Sequence, residues 1–355
     1  MDSVTGPDPL PVRPEWRDRL LEAAGEAQAT GQCLVPTGLG QRGRQAGLRV
    51  DLAAFDRMAD YQPADLVVTM EAGCTINRLN QILAENQQWI PWDPADGRDD
   101  TLGGLVAAGL DSALAGGFGT LRDRVLAMGV WTPGFGFIRA GAPVVKNVAG
   151  YNLPRLFFGS RGRFGVIASV TLKVAPRPRS TGIWQFDGPV EETALRVRQG
   201  EAMAEPWAMV RTHCEAGRCR TAWVWMGTPA TVDRLSGLLG PPAGEWLPTD
   251  ARLGSGCSAM GGVPRNRVAA LLQWWPGPVM AEWQTGWFWG RIEGDREWWQ
   301  IDAAIRQWGG AVRWVAGGCR PDDESDGALD PVATRLKQQF DPHGILPAVA
   351  GRTPR

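Results

Sequence analysis

Residues 144–178 read VVKNVAGYNLPRLFFGSRGRFGVIASVTLKVAPRP. The whole chain has two Tyr and three Lys, and Tyr151, Lys146 and Lys173 fall within this stretch. Arg serves nearly everywhere else. Gly150, Gly159, Gly162 and Gly165 punctuate the segment, and Val166–Val174 then alternates into a strand. Glycine at this density marks backbone that turns tightly or lets something approach closely. Two readings follow: a loop, a turn and a hairpin strand, or a backbone cradle for a large planar cofactor.

Outward from that stretch, 355 residues exceed one ordinary domain, so two are expected. Hydrophobic content of 44% and charged content of 21% are those of a globular protein. A net charge of −1 gives no electrostatic case for nucleic acid. No apolar run is long enough to span a bilayer, and MDSVTGPDPLPVRPEW has neither a basic n-region nor an apolar h-region. The cytoplasm is the default compartment, with residues 1–14 as a disordered lead-in. Six scattered Cys suit a reduced protein better than a disulfide framework. His213, Cys214 and Cys219 in HCEAGRC lack a fourth ligand, so no metal is expected. The absence of a CxxCxxC run argues against an iron–sulfur cluster in this chain.

Composition changes near Pro176–Pro178, beyond which lie 14 of the 18 Trp. APRPRSTG reads as a linker or crossing strand between domains over residues 15–178 and 179–325. In the first domain, helices are expected over Glu15–Ala29 and Thr75–Gln87. Strands are expected over Cys33–Val35, Leu66–Glu71, Val125–Val130 and Val166–Val174. In the second, Glu191–Ala204, Thr231–Leu239 and Val263–Gln273 read as helices. Ala222–Met226, Trp287–Ile292 and Val312–Val315 read as strands. The pattern is α+β, with the Trp most economically read as core and inter-domain packing.

Four further segments accompany the opening stretch. Pro36-Thr37-Gly38-Leu39-Gly40-Gln41 follows a strand, and its glycines let several N–H groups face one anion, although taken alone the segment reads first as an ordinary turn. It is neither a GxGxxG nor a Walker A pattern. Thr101-Leu102-Gly103-Gly104 through Gly109 is almost wholly small, as a helix packed tightly on a sheet or a ligand would be. Gly117-Phe118-Gly119-Thr120-Leu121-Arg122-Asp123 turns into a strand; Arg122 and Asp123 read as structural, Gly119 and Thr120 as contacts. Lys337-Gln338-Gln339-Phe340-Asp341-Pro342-His343-Gly344-Ile345-Leu346 forms the tail, with His343 read as a solvent-facing loop residue.

In this order the motifs resemble the flavin-binding domain of the vanillyl-alcohol oxidase/p-cresol methylhydroxylase superfamily, over roughly residues 30–178 and the last two dozen. More narrowly, they resemble the FAD-binding subunits of bacterial glycolate oxidases. The resemblance implies a two-subdomain FAD-binding domain of the p-cresol methylhydroxylase type. It also implies a smaller α+β cap domain and a C-terminal segment, 326–355, that returns to the FAD domain. It implies FAD contacts at Pro36, Thr37, Gly38, Leu39, Gly40, Gln41, Thr101, Gly103, Gly104, Gly109, Gly119 and Thr120. Lys146 and Asn147 join these, with the backbone of Gly165 and Ile167 at the adenine or ribose. Some relatives attach the flavin through a His in the first loop. None is present here, so FAD is expected to be non-covalent. Pro347-Ala348 stands where the family has Asn-Pro, which removes a contact the Asn would make.

The implied function is that of an FAD-binding subunit oxidising glycolate, a small 2-hydroxy acid, to glyoxylate. Its partners would be a larger flavoprotein subunit and an iron–sulfur subunit, with attachment to the inner membrane only through them. Relatives that oxidise D-2-hydroxy acids often carry a His/Glu-rich metal site in the second domain. Here only His213 and His343 exist, and no catalytic residue is assigned. A stand-alone 2-hydroxy-acid dehydrogenase and an assembly subunit that has lost FAD stay open as alternatives.

Overall fold

The computed structural model describes residues 13–39, 47–93, 99–142, 153–202, 207–244, 258–293, 298–316 and 331–347. In the N-terminal half, α1 (Pro14–Thr30) precedes β1 (Leu34–Thr37), β2 (Leu48–Asp51), β3 (Met58–Gln62) and β4 (Val67–Glu71). Next come α2 (Ile76–Ala84), β5 (Gln88–Trp89), α3 (Leu102–Ala108), α4 (Ala115–Phe118) and α5 (Leu121–Arg124). The hairpin β6 (Val125–Thr132) and β7 (Gly136–Gly141), α6 (Pro154–Phe157), β8 (Val166–Lys173) and β9 (Ala175–Pro176) complete it. Strands β1 and β2 form a parallel pair, while an antiparallel sheet runs β3-β4-β8-β6-β7.

That five-stranded sheet is covered on both faces. Trp16, Leu20, Ala24 and Ala27 of α1 recur at helical spacing and are buried with Trp131, Val166 and Ala168. Ile76, Leu79 and Leu83 of α2 and Leu102, Leu105 and Val106 of α3 bury against Val68, Met70, Val170 and Leu172 on the other face. Thr75 caps α2 by accepting from the Arg78 N–H, which halts the helix N-terminally where the sequence suggests. The C-terminal helix α11 (Pro331–Phe340) packs Phe340 edge-on to Phe135 and Phe157, and the Leu34 N–H donates to Ile345.

All seven strands of the larger sheet come after Arg179. They are β10 (Ser180–Gly188), β11 (Met209–Glu215), β12 (Arg218–Gly227), β13 (Ser258–Gly262), β14 (Val279–Glu282), β15 (Trp287–Arg291) and β16 (Ala311–Ala316). They align antiparallel in the order β10-β12-β11-β14-β15-β13-β16. Helices α7 (Val190–Glu201), α8 (Pro229–Leu239), α9 (Val268–Trp274) and α10 (Trp298–Gln307) accompany them. Trp184, Trp207, Trp223, Trp225, Trp275 and Trp283 all enter this core.

Several elements depart from the sequence reading. Of the two readings of APRPRSTG the strand is the one observed: Ala175–Pro176 pairs with β5, and Ser180–Gly188 is an edge strand paired with β12 along its full length. Strands β11, β13 and β14 are not legible as strands. Met209–Glu215 carries Arg211, Thr212 and His213, and Ser258–Gly262 is small and Gly-rich, so neither has the β-branched, alternating character of a strand. The helix expected over Val263–Gln273 begins only at Val268, behind Pro264 and a 3-10 turn over Arg265–Arg267. The cysteine reading also changes: Cys214 and Cys219 sit opposite each other at the end of the β11–β12 hairpin and form a disulfide. That pairing comes from hairpin register, which spacing alone does not reveal. Cys33 and Cys74 are free.

Candidate functional site

The seam between β1 and α3 is the most crowded backbone approach in the first domain. Gly38 follows β1 directly, and a Cβ there would overlap the Thr101 hydroxyl. Thr101 is buried and caps α3, its Oγ1 accepting from the Gly104 N–H at 3.2 Å. The Gly103 N–H donates to Ala72 at 2.8 Å, and a Cβ on Gly103 would stand 2.7 Å from the Ala72 Cβ. Helix α3 ends at Gly109 in the left-handed region, φ +66°, where a Cβ would stand 2.8 Å from the Gly159 Cα. The turn after α6 is tied back to α3, with Gly159 and Arg161 donating to Val106 and Ala107. A Cβ on Gly162 would in turn stand 3.9 Å from both Pro36 and Pro347. Pro36, Gly38, Thr101, Gly103, Gly104 and Gly109 are thus drawn together, and the Gly159–Gly162 turn and the tail join them.

The tail is held there by Lys337. Its Nζ donates to the carbonyls of Arg163, Leu346 and Pro347 at 2.9–3.0 Å and pairs with Asp341 at 2.7 Å. Burial pulls the Lys337 ammonium below its ordinary value, while the Asp341 hydrogen bond pulls it back up. Asp341 accepts from the Ile345 and Leu346 N–H groups, so the K..FDP motif is a built turn. His343 is exposed.

Other residues singled out from the sequence stand elsewhere. The Thr37 hydroxyl donates to Val50, and Leu39 is exposed. Thr120 caps α5 and bonds Asp123 through both its Oγ1 and that residue's N–H. Gly119 adopts φ +82° with open space around it, and nothing described links it to the Gly38–Thr101 seam. Gly165 lies under β6, where a Cβ would meet Val130 Cγ1 at 2.5 Å, and the Ile167 side chain belongs to the core. Only the backbone of Gly165 and Ile167 can face a ligand. Gly40, Gln41, Lys146 and Asn147 lie outside the described residues.

Sequence reasoning missed two features. Ser160 is buried within the turn tied to α3, yet its hydroxyl has no hydrogen-bond partner among the described residues. A Ser between glycines carries no distinguishing signal. The second is Arg211 on β11, 1% exposed and ion-paired to Glu282 of β14 and to Asp93 of the first domain. No pattern could have brought together residues 118 positions apart. Among the described residues, no cluster of His, Cys, Asp or Glu could hold a metal. No helix among the described residues is long and apolar enough to cross a membrane.

Residues 10–139 match the family model described as an FAD binding domain. Those residues include β1, the Thr101 cap and the Gly119 turn. The chain is 28% identical to Glycolate oxidase subunit GlcE of Escherichia coli (strain K12), over 94% of this chain and 96% of that protein. It is 34% identical to a D-lactate dehydrogenase of Anaerostipes hadrus, across 38% of this chain and 28% of that protein. With the mitochondrial cytochrome D-lactate dehydrogenase of Arabidopsis thaliana it shares 28% identity over 52% of this chain and 30% of that protein. The matched part of the chain thus spans less than a third of either dehydrogenase. A solved alkyldihydroxyacetonephosphate synthase aligns with a TM-score of 0.67 at 17% identity, covering 95% of this chain and 74% of that one, and so shares the fold.

The seam glycines spend their N–H groups within the chain, Gly103 on Ala72, Gly104 on Thr101 and Gly109 on Leu105 and Val106, while the buried Ser160 hydroxyl has no partner among the described residues and is free to meet a polar group of a cofactor such as FAD.

Proposed function

We propose that this chain is the FAD-binding subunit of a glycolate oxidase-type complex that oxidises glycolate to glyoxylate. The observation that carries the reading is the near end-to-end similarity to Glycolate oxidase subunit GlcE, supported by a buried Ser160 hydroxyl beside the close-packed Gly38–Thr101 seam. In this reading the backbone at Pro36–Leu39, Thr101, Gly103, Gly104 and Gly109 borders FAD, bound non-covalently. Ser160 supplies a hydroxyl, and Gly165 and Ile167 contribute backbone. Gly40, Gln41, Lys146 and Asn147 complete the set from outside the described residues. Gly119 and Thr120 are the weakest members, since Thr120 already serves its own cap. Bound FAD accepts hydride from the carbon bearing the hydroxyl.

The chain's own residues exclude water and orient the cofactor. Neither histidine adjoins the seam in any described contact. Burial depresses His213, which is half-buried on β11, and His343 is exposed. Supply of the substrate base and of the onward electron path therefore falls to partners, a larger flavoprotein subunit and an iron–sulfur subunit, in the cytoplasm or docked through them at the inner membrane.

The test is the visible spectrum of the purified chain, recorded before and after acid precipitation and again with glycolate. A flavin spectrum released to the supernatant, unbleached by glycolate alone but bleached once the partner subunits are added, is the expected result. Bleaching by the chain alone would make it a self-sufficient dehydrogenase. A colourless chain that cannot be reconstituted with FAD would leave an assembly subunit.

A further inference from the structure

Three segments far apart in the chain meet at one amine. Lys337, in the last turn of α11, carries its ammonium into the first domain, its side chain only 16% exposed. The Nζ donates to Leu346 and Pro347 of the tail and to Arg163, which leads from the Gly159–Gly162 turn into β8. Asp341, its side chain fully buried, balances the charge and folds the tail back by accepting from the Ile345 and Leu346 N–H groups. The Ile345 carbonyl in turn accepts from the Leu34 N–H at 2.6 Å, so the tail also grips the start of β1. A Cβ on Gly162 would stand 3.9 Å from both Pro36 and Pro347, which places β1, the turn and the tail side by side.

We propose, on the flavin reading above, that Lys337 is a positioning residue for the cofactor: it clasps the tail across β1 and the Gly159–Gly162 turn, and so sets the spacing of two segments that border FAD. The link to the cofactor is short. The Arg163 peptide is held at both ends, its carbonyl by Lys337 and its N–H by the carbonyl of Ser160 at 3.1 Å, the residue whose buried hydroxyl lacks a partner among the described residues. Apolar packing does not do this in place of the amine. Helix α11 has no buried residue, and it rests on the core through the half-buried Ala333, Leu336 and Phe340. Beyond Phe340 the course of the tail is therefore set by polar contacts that converge on one nitrogen. An ammonium suits three carbonyls and a carboxylate around a point, whereas the planar fork of an arginine spreads its donors and cannot gather them.

The experiment compares the full chain with its K337R and K337M variants. FAD would be titrated into each apoprotein, with the urea midpoint of each apoprotein and the visible circular dichroism of the bound flavin measured alongside. Lys337→Arg keeps a cation beside Asp341 and should hold its midpoint near the wild type. Its FAD dissociation constant should nonetheless rise about tenfold or more, with altered dichroism. Lys337→Met strands Asp341, so it should lose both midpoint and affinity; if it fails to fold, Lys337→Arg carries the comparison. In the wild type, hydrogen exchange across residues 341–347 should slow when FAD is added. Wild-type affinity and dichroism in Lys337→Arg, affinity losses that only follow lowered midpoints with dichroism unchanged, or no FAD-dependent protection of 341–347 would each overturn the inference. A wild type that takes up no FAD is a separate failure, seen before any variant is compared, and it overturns the flavin reading together with the clasp.

Discussion

The two domains use glycine in opposite ways. At the β1–α3 seam, the space a Cβ would take at Gly38, Gly103 or Gly109 is already occupied by Thr101, Ala72 or the Gly159 backbone. The chain there is drawn together, backbone on backbone and on small side chains. In the second domain the missing Cβ is replaced by an indole: a Cβ on Gly200 would strike the Trp223 ring, and one on Gly290 the Trp275 ring. The first arrangement leaves the Ser160 hydroxyl without a partner among the described residues. The second satisfies itself with the protein's own rings, stacked edge-on or tilted at 5–6.5 Å. Glycine content alone does not mark a binding site; what lies over the glycine does.

The contrast is most severely tested in the second domain. Trp223→Ala removes a 3%-exposed ring from the core and should cost about 3–5 kcal/mol, read as a lower denaturant midpoint. Its bound flavin should be kept below the transition. Flavin lost well before unfolding would mean that the tryptophans serve the cofactor as well.

Arg211→Met, which strands Glu282 and Asp93, should cost about 3–5 kcal/mol by the same measurement. The loss should register at the domain seam, as faster hydrogen exchange in residues 112–118 and 207–211.

Gly38→Ala and Gly200→Ala form a matched pair. Each overpacks by one methyl at about 1–3 kcal/mol, but only Gly38→Ala should weaken flavin binding, by about tenfold or more in a titration of the apoprotein. Equal flavin affinity in both would dissolve the distinction between the two kinds of glycine.

Thr101→Ala removes the α3 cap, worth about 1 kcal/mol, and should shift the flavin spectrum while changing the melt only slightly. The smallest effect concerns Cys74, whose thiol burial pushes up to about 12. It should resist alkylation at pH 8 in the native protein, with mass spectrometry locating any label.

Much of the first domain was legible from the chain. Helices α1 and α2, strands β4, β6 and β8 and the cap at Thr75 all follow from periodicity and capping, because each is an amphipathic or fully apolar segment with a clear stop. The seam was legible in part. Gly38, Thr101, Gly103 and Gly109 converge, whereas Gly119 and Thr120 stand apart and serve a local turn. The second domain was much less legible. Strands β12, β15 and β16 were legible, whereas β11 and β13 carry Arg, Thr, His and Gly, so the two-residue alternation is hidden in them. The burial of Arg211 is set by the fold alone.

By itself the sequence determined the order of the flavin motifs, the helices of the first domain and the break in composition near Pro178. These are local signals, carried by residues a few positions apart. Only the tertiary structure decided that Cys214 and Cys219 bond, that Lys337 ties the tail to Arg163, and that Arg211 spans the domains to Asp93. Such partners are set by strand register and domain docking, which depend on side chains packing over separations that no local pattern encodes.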